Sequence, residues 1–400
     1  MKSESISVTG RLVLAFAIAL GMVVVAIPPA QAQTFSVVHN FTGGSDGGGP
    51  LSGFITDSTG NMYGTTNSGG ASNFGVVFKV NTSGVETVLH TFNGGTDGAN
   101  PDGRLVRDKA GNLYGTTTAG GVNGAGTVFE VSPAGKEIVL HSLIGGTQGS
   151  DPEAGLAMDA AGNLYGTATA GGANGNGTVF ELVKPKTGGK WLAKTLYSFG
   201  NGADGRIPVA GVAFDGAGNL YGTTSLGGTY GYGTVFELTL SGSSWTETIL
   251  HHFQDGDDGG TPYAGLIFEK GNFYGAATEA GSGGGGVVFE LTPATGGGWT
   301  FTELYSQPGW GISGTFRNLI MDATGNLYGT THCDGAPDAG TVYKLTLESG
   351  SWVYTSLYIF TGGTDGLYSF SNLVLEHGKL YGTTNEGGAD NYGVIFEVTP

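Results

Sequence analysis

Gly60-Asn61-Met62-Tyr63-Gly64-Thr65-Thr66 decides the fold, because it recurs. Versions of it stand at Gly111 to Thr117, Gly162 to Ala168, Gly218 to Thr224, Gly271 to Ala277, Gly325 to Thr331 and Gly378 to Thr384. The tyrosines are Tyr63, Tyr114, Tyr165, Tyr221, Tyr274, Tyr328 and Tyr381, spaced 51, 51, 56, 53, 54 and 53 residues apart. Fifteen residues after each comes a second aromatic: Phe78, Phe129, Phe180, Phe236, Phe289, Tyr343 and Phe396. An offset that never varies fixes one strand–loop–strand geometry. A period near 50 residues is the length of a propeller blade.

Each unit supplies four short strands, typified by Ala154 to Asp159, Asn163 to Thr167, Gly177 to Leu182 and Lys194 to Phe199. They are β-branched or aromatic and bounded by Gly, Pro, Asp and Asn. Runs apolar on both faces suit strands packed between neighbouring sheets. The ends of the repeat are out of phase. Thr34 to Phe41 reads as a fourth strand, and Gly393 to Val398 reads as a third. The N-terminal strand is therefore expected to complete the last blade. Residues 33–400 are read as an all-β, seven-bladed β-propeller of four-stranded blades, closed so that no sheet edge is left open. An open solenoid would not explain the phase shift.

Composition agrees. Glycine supplies 79 of 400 residues, only 12% are charged and 39% are apolar. Disorder needs the opposite balance of charge and apolarity. Collagen needs Gly at every third position, and so much Gly excludes a helical architecture. The net charge of −17 argues against nucleic acid and anionic membrane surfaces as partners. Cys333 stands alone, so no internal disulfide is available. Residues 1–32 read as a secretory signal peptide: Lys2 and Arg11, an apolar run from Leu12 to Ile27, Pro28-Pro29, then Ala30-Gln31-Ala32 before the expected cleavage. A secreted or periplasmic monomer with no transmembrane segment after cleavage is expected.

The string Gly-Asn-Leu-Tyr-Gly-Thr-Thr, then Gly-Gly, then Gly-Thr-Val-Phe-Glu-Leu, resembles the Gloeo/Verruco (GloVer) tandem repeat of bacterial surface and secreted proteins. The likeness covers the mature chain. It implies a bacterial source and a surface or secreted location, and no particular activity.

Two loop classes, from strand two to three and from strand four to the next blade, are expected on one rim. The second class carries Asp46, Asp97, Asp204, Asp258 and Asp365 in five of seven units, with Gln148 once. These carboxylates are read as Asx-type turn residues, with a ring of calcium ligands as the functional alternative. A hard cation wants six to eight oxygens, and one Asp per loop supplies few. A second acidic series, Asp57, Asp108, Asp159, Asp215, Glu269, Asp322 and Glu376, precedes the turn into strand two and is read as hairpin chemistry. His39, His90, His141 and His251 share one register in strand four with Tyr197, Tyr305 and Tyr358. Such interchange marks a packing position with one polar tip. The sixth unit breaks the symmetry: Trp310 in its leading loop, Arg317 before its first strand, and His332-Cys333-Asp334 after its second. Drift in a tolerant loop explains this set; a ligand pocket is the alternative.

No nucleophile elbow, His-Glu-x-x-His or phosphate loop occurs. The sequence is therefore read as a binding or scaffold module with a glycan or protein ligand, without an obligate cofactor. The alternative is a propeller hydrolase of lactonase or phosphotriesterase type with a central calcium.

Overall fold

A computed structural model describes residues 33–309 and 319–400. The leader at 1–32 and, in the sixth unit, Trp310 and Arg317 lie outside the described residues.

Seven four-stranded antiparallel sheets follow one another along the chain. In the third blade the strands are Ala157–Met158, Leu164–Ala168, Thr178–Val183 and Leu192–Ser198. The seventh blade takes Val374–Glu376, Lys379–Thr384 and Val394–Thr399 from the end of the chain. Its outer strand is Thr34–Asn40, antiparallel to Val394–Thr399 from Thr34 opposite Thr399 to Asn40 opposite Val394. The phase shift in the repeat thus becomes the closure of the ring.

The core lies in the seams between blades. Strand three of the first blade shows how one strand serves two of them. Val76 and Phe78 pack with Phe41 and Ile395 of the seventh blade. Val77, pointing to the opposite face, packs with Leu105 and Phe129 of the second. Period-two alternation does this wherever both faces are covered. Equivalent buried clusters fill every other seam around the ring.

The fixed Tyr-to-aromatic offset has a steric cause. Gly64, next to Tyr63, pairs directly across from Phe78. A Cβ on Gly64 would sit 2.6 Å from the tip of the Phe78 ring. Gly222 faces Phe236 in the same way, and Gly329 faces Tyr343. The Gly of Tyr-Gly is the space that the aromatic fills.

The first strands are shorter than the sequence suggested. The third blade has ladder pairing over only Ala157–Met158 of the expected Ala154 to Asp159. Neighbouring blades converge on the axis here. A Cβ on Gly155 would lie 2.7 Å from the Arg104 carbonyl oxygen, and one on Gly211 would lie 2.6 Å from that of Gly155. Backbone packed against backbone leaves the ladder early.

The hairpin carboxylates behave as expected. Asp57 accepts bonds from the N–H groups of Thr59 and Asn61 and from Asn61 Nδ2 and the Tyr63 hydroxyl, at 2.9 to 3.1 Å. Burial alone would raise its pKa, but the bonds from Asn61 and Thr59 hold it well below the ordinary carboxylate range. Where Glu269 and Glu376 replace Asp, the turn shortens to Lys270-Gly271 and His377-Gly378, all four at positive φ. This is the backbone of a tight two-residue hairpin.

Candidate functional site

Both loop classes open on one face, and short bridges stitch them together. Gly48 pairs with Ser68, Ala99 with Ala119, Ser150 with Ala170, Gly260 with Glu279 and Leu367 with Glu386. In the fourth blade the link is a two-stranded ribbon, Gly205–Arg206 with Leu226–Gly227. In these six blades the loop before the blade is thus tied to the two-to-three loop inside it.

The five loop carboxylates stay in their own loops. Asp46 accepts the Thr42 N–H at 2.8 Å, Asp97 the Asn93 N–H at 2.9 Å and Asp258 the Gln254 N–H at 3.2 Å. Asp204 accepts the Gly200 N–H, and Asp365 accepts the Thr361 N–H at 2.8 Å and hydroxyl at 2.6 Å. Each closes a turn on the residue four before it, as an Asx-type acceptor would. No three of them come together among the described residues. Only Asp46 belongs to a cluster of three ligand-type groups, with His39 and Glu86.

Seven residues before each of these carboxylates lies the strand-four His or Tyr. The Tyr197 hydroxyl donates to Asp204 at 3.0 Å, and that of Tyr358 to Asp365 at 2.8 Å. His251 Nε2 lies 2.9 Å from Asp258, and His141 Nε2 lies 3.2 Å from Gln148 Oε1. The same ring also faces the next blade, and at five seams it meets the residue four positions before that blade's own His or Tyr. Tyr358 stacks on Phe35 at 3.9 Å, His251 on Phe301 at 4.3 Å and Tyr305 on Tyr354 at 4.9 Å between centroids. At three other seams the residue in this position is a glutamate, and at the seam after His141 it is Ala193. His39 meets Glu86 at 3.7 Å, and Tyr197 donates to Glu247 at 2.9 Å. Burial, followed by the charge of the nearby loop Asp, pushes Glu86 and Glu137 up to about 7 and Glu247 up to about 8. The seam glutamates were missed from sequence. They stand four residues before the strand-four ring, a position that Phe35, Ala193, Phe301 and Tyr354 take in other units, so the spacing alone did not mark them.

In the sixth unit, His332 is packed between Tyr368 and Phe370, at 4.4 and 4.2 Å between centroids. Burial lowers its pKa to about 4, so it is a neutral ring at physiological pH. Burial, then the charges of Asp338 and Asp334, pushes the Cys333 thiol up; that keeps it protonated rather than nucleophilic. Asp334 accepts bonds from Gln307 Nε2 at 2.6 Å and from the Thr331 hydroxyl. It also raises the pKa of Tyr305, after burial. Asp334 thus faces the strand-four ring of this seam, the role the loop carboxylates play in other blades.

Two open surfaces bear on ligand binding. A cavity of about 580 Å³ lies on the axis, lined by first-strand residues such as Ile55, Leu156 and Val212 and by Arg104, Arg107 and Tyr263. Burial lowers the pKa of Arg104. No carboxylate lines this cavity among the described residues. The second surface is the rim. Every exposed aromatic among the described residues belongs to it: Phe74, Tyr230, Tyr232 and Tyr392 in two-to-three loops, and Tyr263 in the loop leading to the fifth blade. A Cβ on Gly43 would fall within 2.4 Å of the Tyr392 ring, and one on Gly94 within 2.3 Å of Phe74. These rings lie on bare glycine backbone, which holds one face and leaves the rest open.

A closed ring of seven blades with a glycine-rich rim defines a β-propeller. The Gloeobacter/Verrucomicrobia repeat matches residues 21–213 and 183–396, and the chain belongs to that family. No curated protein matches it. Among solved structures, it is similar to the extracellular domain of a candidate hybrid two-component system from B. thetaiotaomicron. That match has 11% identity and a TM-score of 0.59, covering 91% of this chain and 39% of the other. It is also similar to a candidate 6-phosphogluconolactonase from Bacteroides uniformis, with 16% identity and a TM-score of 0.54, over 81% and 88% of the two chains. At these identities the likeness is one of fold. No helix among the described residues is long and apolar enough to cross a membrane.

Proposed function

We propose that this propeller is a secreted binding module that holds a carbohydrate on its aromatic rim. The observation that carries the reading is the confinement of every exposed aromatic among the described residues to that one face. Sugar rings present apolar C–H faces to aromatic platforms, while Asn, Thr and backbone groups of the loops serve the hydroxyls. Tyr230 is 54% exposed and Tyr392 44%. Tyr392 and Phe74, seated on glycine backbone, lose little freedom on binding, which favours affinity. The alternative, a hydrolase around a central calcium, would need oxygen ligands at the axis. There the lining offers Arg104 and Arg107 and no acidic group. Residues 310–318 contain none either.

A glycan array probed with residues 33–400 tests the proposal. Binding to a defined glycan class is expected, with at least a tenfold loss on replacing Tyr230, Tyr232 and Tyr392 together by Ser. Unchanged glycan binding in that variant, or no glycan bound by the folded protein, would refute it.

A further inference from the structure

His39, Asp46 and Glu86 place one ligand atom each within 4.8 Å of one another. They come from three segments: the N-terminal strand, the loop after it, and the outer strand of the first blade. We propose that this seam is a divalent transition-metal site of the zinc and manganese class, bridging the seventh and first blades.

Two observations support it. The first is the donor set. One imidazole and two carboxylates suit zinc, manganese or ferrous iron; calcium prefers oxygen alone. The second is a deficit of partners. The Glu86 side chain is only 9% exposed and faces His39 at 3.7 Å. Its Oε1 and His39 Nε2 are both buried without a hydrogen-bond partner. Buried polar atoms are ordinarily satisfied, and a cation would engage both while neutralising the two adjacent carboxylates.

The neighbouring seams serve as internal controls. His90, Asp97 and Glu137 repeat the residue types at the next seam, and His90 Nε2 and Glu137 Oε1 are likewise buried without a partner, but the three ligand atoms do not gather within 4.8 Å. At the seam between the third and fourth blades, Tyr197 replaces the imidazole and hydrogen-bonds both carboxylates itself.

The test uses chelator-treated protein spanning residues 33–400, titrated with Zn²⁺, Mn²⁺ and Ca²⁺ by calorimetry and with Co²⁺ by visible absorption. One equivalent of Zn²⁺ or Co²⁺ is expected to bind and to raise the thermal midpoint, because a ligand of the folded state stabilises it. His39→Gln and Glu86→Gln are each expected to weaken binding at least tenfold, and Glu137→Gln to leave it unchanged. Circular dichroism confirms that each variant is folded. The proposal is overturned by any of four results: no binding to folded protein, a preference for Ca²⁺, binding that survives His39→Gln or Glu86→Gln, or equal loss in Glu137→Gln. The titration uses protein with an intact rim, so its outcome is separate from that of the glycan test.

Discussion

Gly222 shows how much of this fold is decided by a missing atom. A methyl there would meet the Phe236 ring at 2.6 Å, and in a packed seam neither partner has room to retreat. Gly222→Ala is expected to cost about 1 to 3 kcal/mol, the usual range for overpacking, read from urea unfolding. Gly222→Ala with Phe236→Leu should recover part of that loss; a single variant as stable as the parent would show that the ring can move. The fifteen-residue offset between aromatics was legible in the sequence because it never varies. Its cause was not, because the contact runs from the glycine after the Tyr to the aromatic on the facing strand. Likewise the exchange of His with Tyr in strand four disclosed a packing position. It did not disclose that the ring reaches across to Glu86, Glu247 or Phe301, since contact between blades is absent from any single repeat. Trp310, His332 and Asp334 stood out only by being unlike their counterparts. The structure shows a stacked ring in His332 and a hydrogen-bonded turn in Asp334.

At the scale of the outer strand, the seam glutamates couple folding to pH. Their ordinary pKa is about 4.5, and in the folded protein Glu86 and Glu137 stand at about 7 and Glu247 at about 8. A carboxyl raised on folding favours the folded state while both states are protonated. Its contribution is therefore full below about pH 4.5 and is lost as pH rises toward 7 and 8. Hairpin carboxylates act in the opposite sense. Asp57 and Asp322 are lowered, against the effect of burial, by bonds from Asn61 and Thr59 and from Asn326 and Thr324. Their contribution is present above their ordinary pKa of about 4 and fades on further acidification. These carboxyls taken alone therefore contribute most near pH 4.5 to 5, while the buried His332, lowered to about 4, acts in the opposite sense below its ordinary pKa of 6.5. Replacing Glu86, Glu137 and Glu247 together by Gln should flatten the decline between pH 4.5 and 8, where each group contributes a slope of at most about 1.4 kcal/mol per pH unit. Thermal midpoints across that range check this; a decline as steep as the parent's would place its origin elsewhere. The two acidic series look alike in sequence. The loop and hairpin aspartates are followed by Gly and Asn, which exposes their turn chemistry. Nothing local to Glu86 marks it as buried, because its neighbour on the other side of the seam lies 47 residues earlier at His39.

For the whole molecule, closure rests on one strand taken out of sequence order. Thr34–Asn40 pairs along Val394–Thr399, and Phe35 and Phe41 leave that sheet to fill the two seams beside it. Phe35 stacks on Tyr358 in one, and Phe41 packs on Phe78 in the other. Without this strand, Val394–Thr399 would be an open edge flanked by apolar surface, the arrangement that invites pairing between chains. What the ring requires is the strand's position, because each seam is a local contact between neighbours. Thr34 lies opposite Thr399, with their hydroxyls 3.1 Å apart, so a short hairpin can join them. A permuted chain that begins at Thr42 and carries residues 33–41 after Pro400, through a few Gly and Ser residues, should keep the parent's circular dichroism and remain monomeric on size exclusion. Deleting residues 33–41 outright should give oligomers or aggregate. If the permutant failed while the deletion stayed monomeric and fully stable, the seventh blade would not depend on the borrowed strand. The ring would then be held by its other six blades alone.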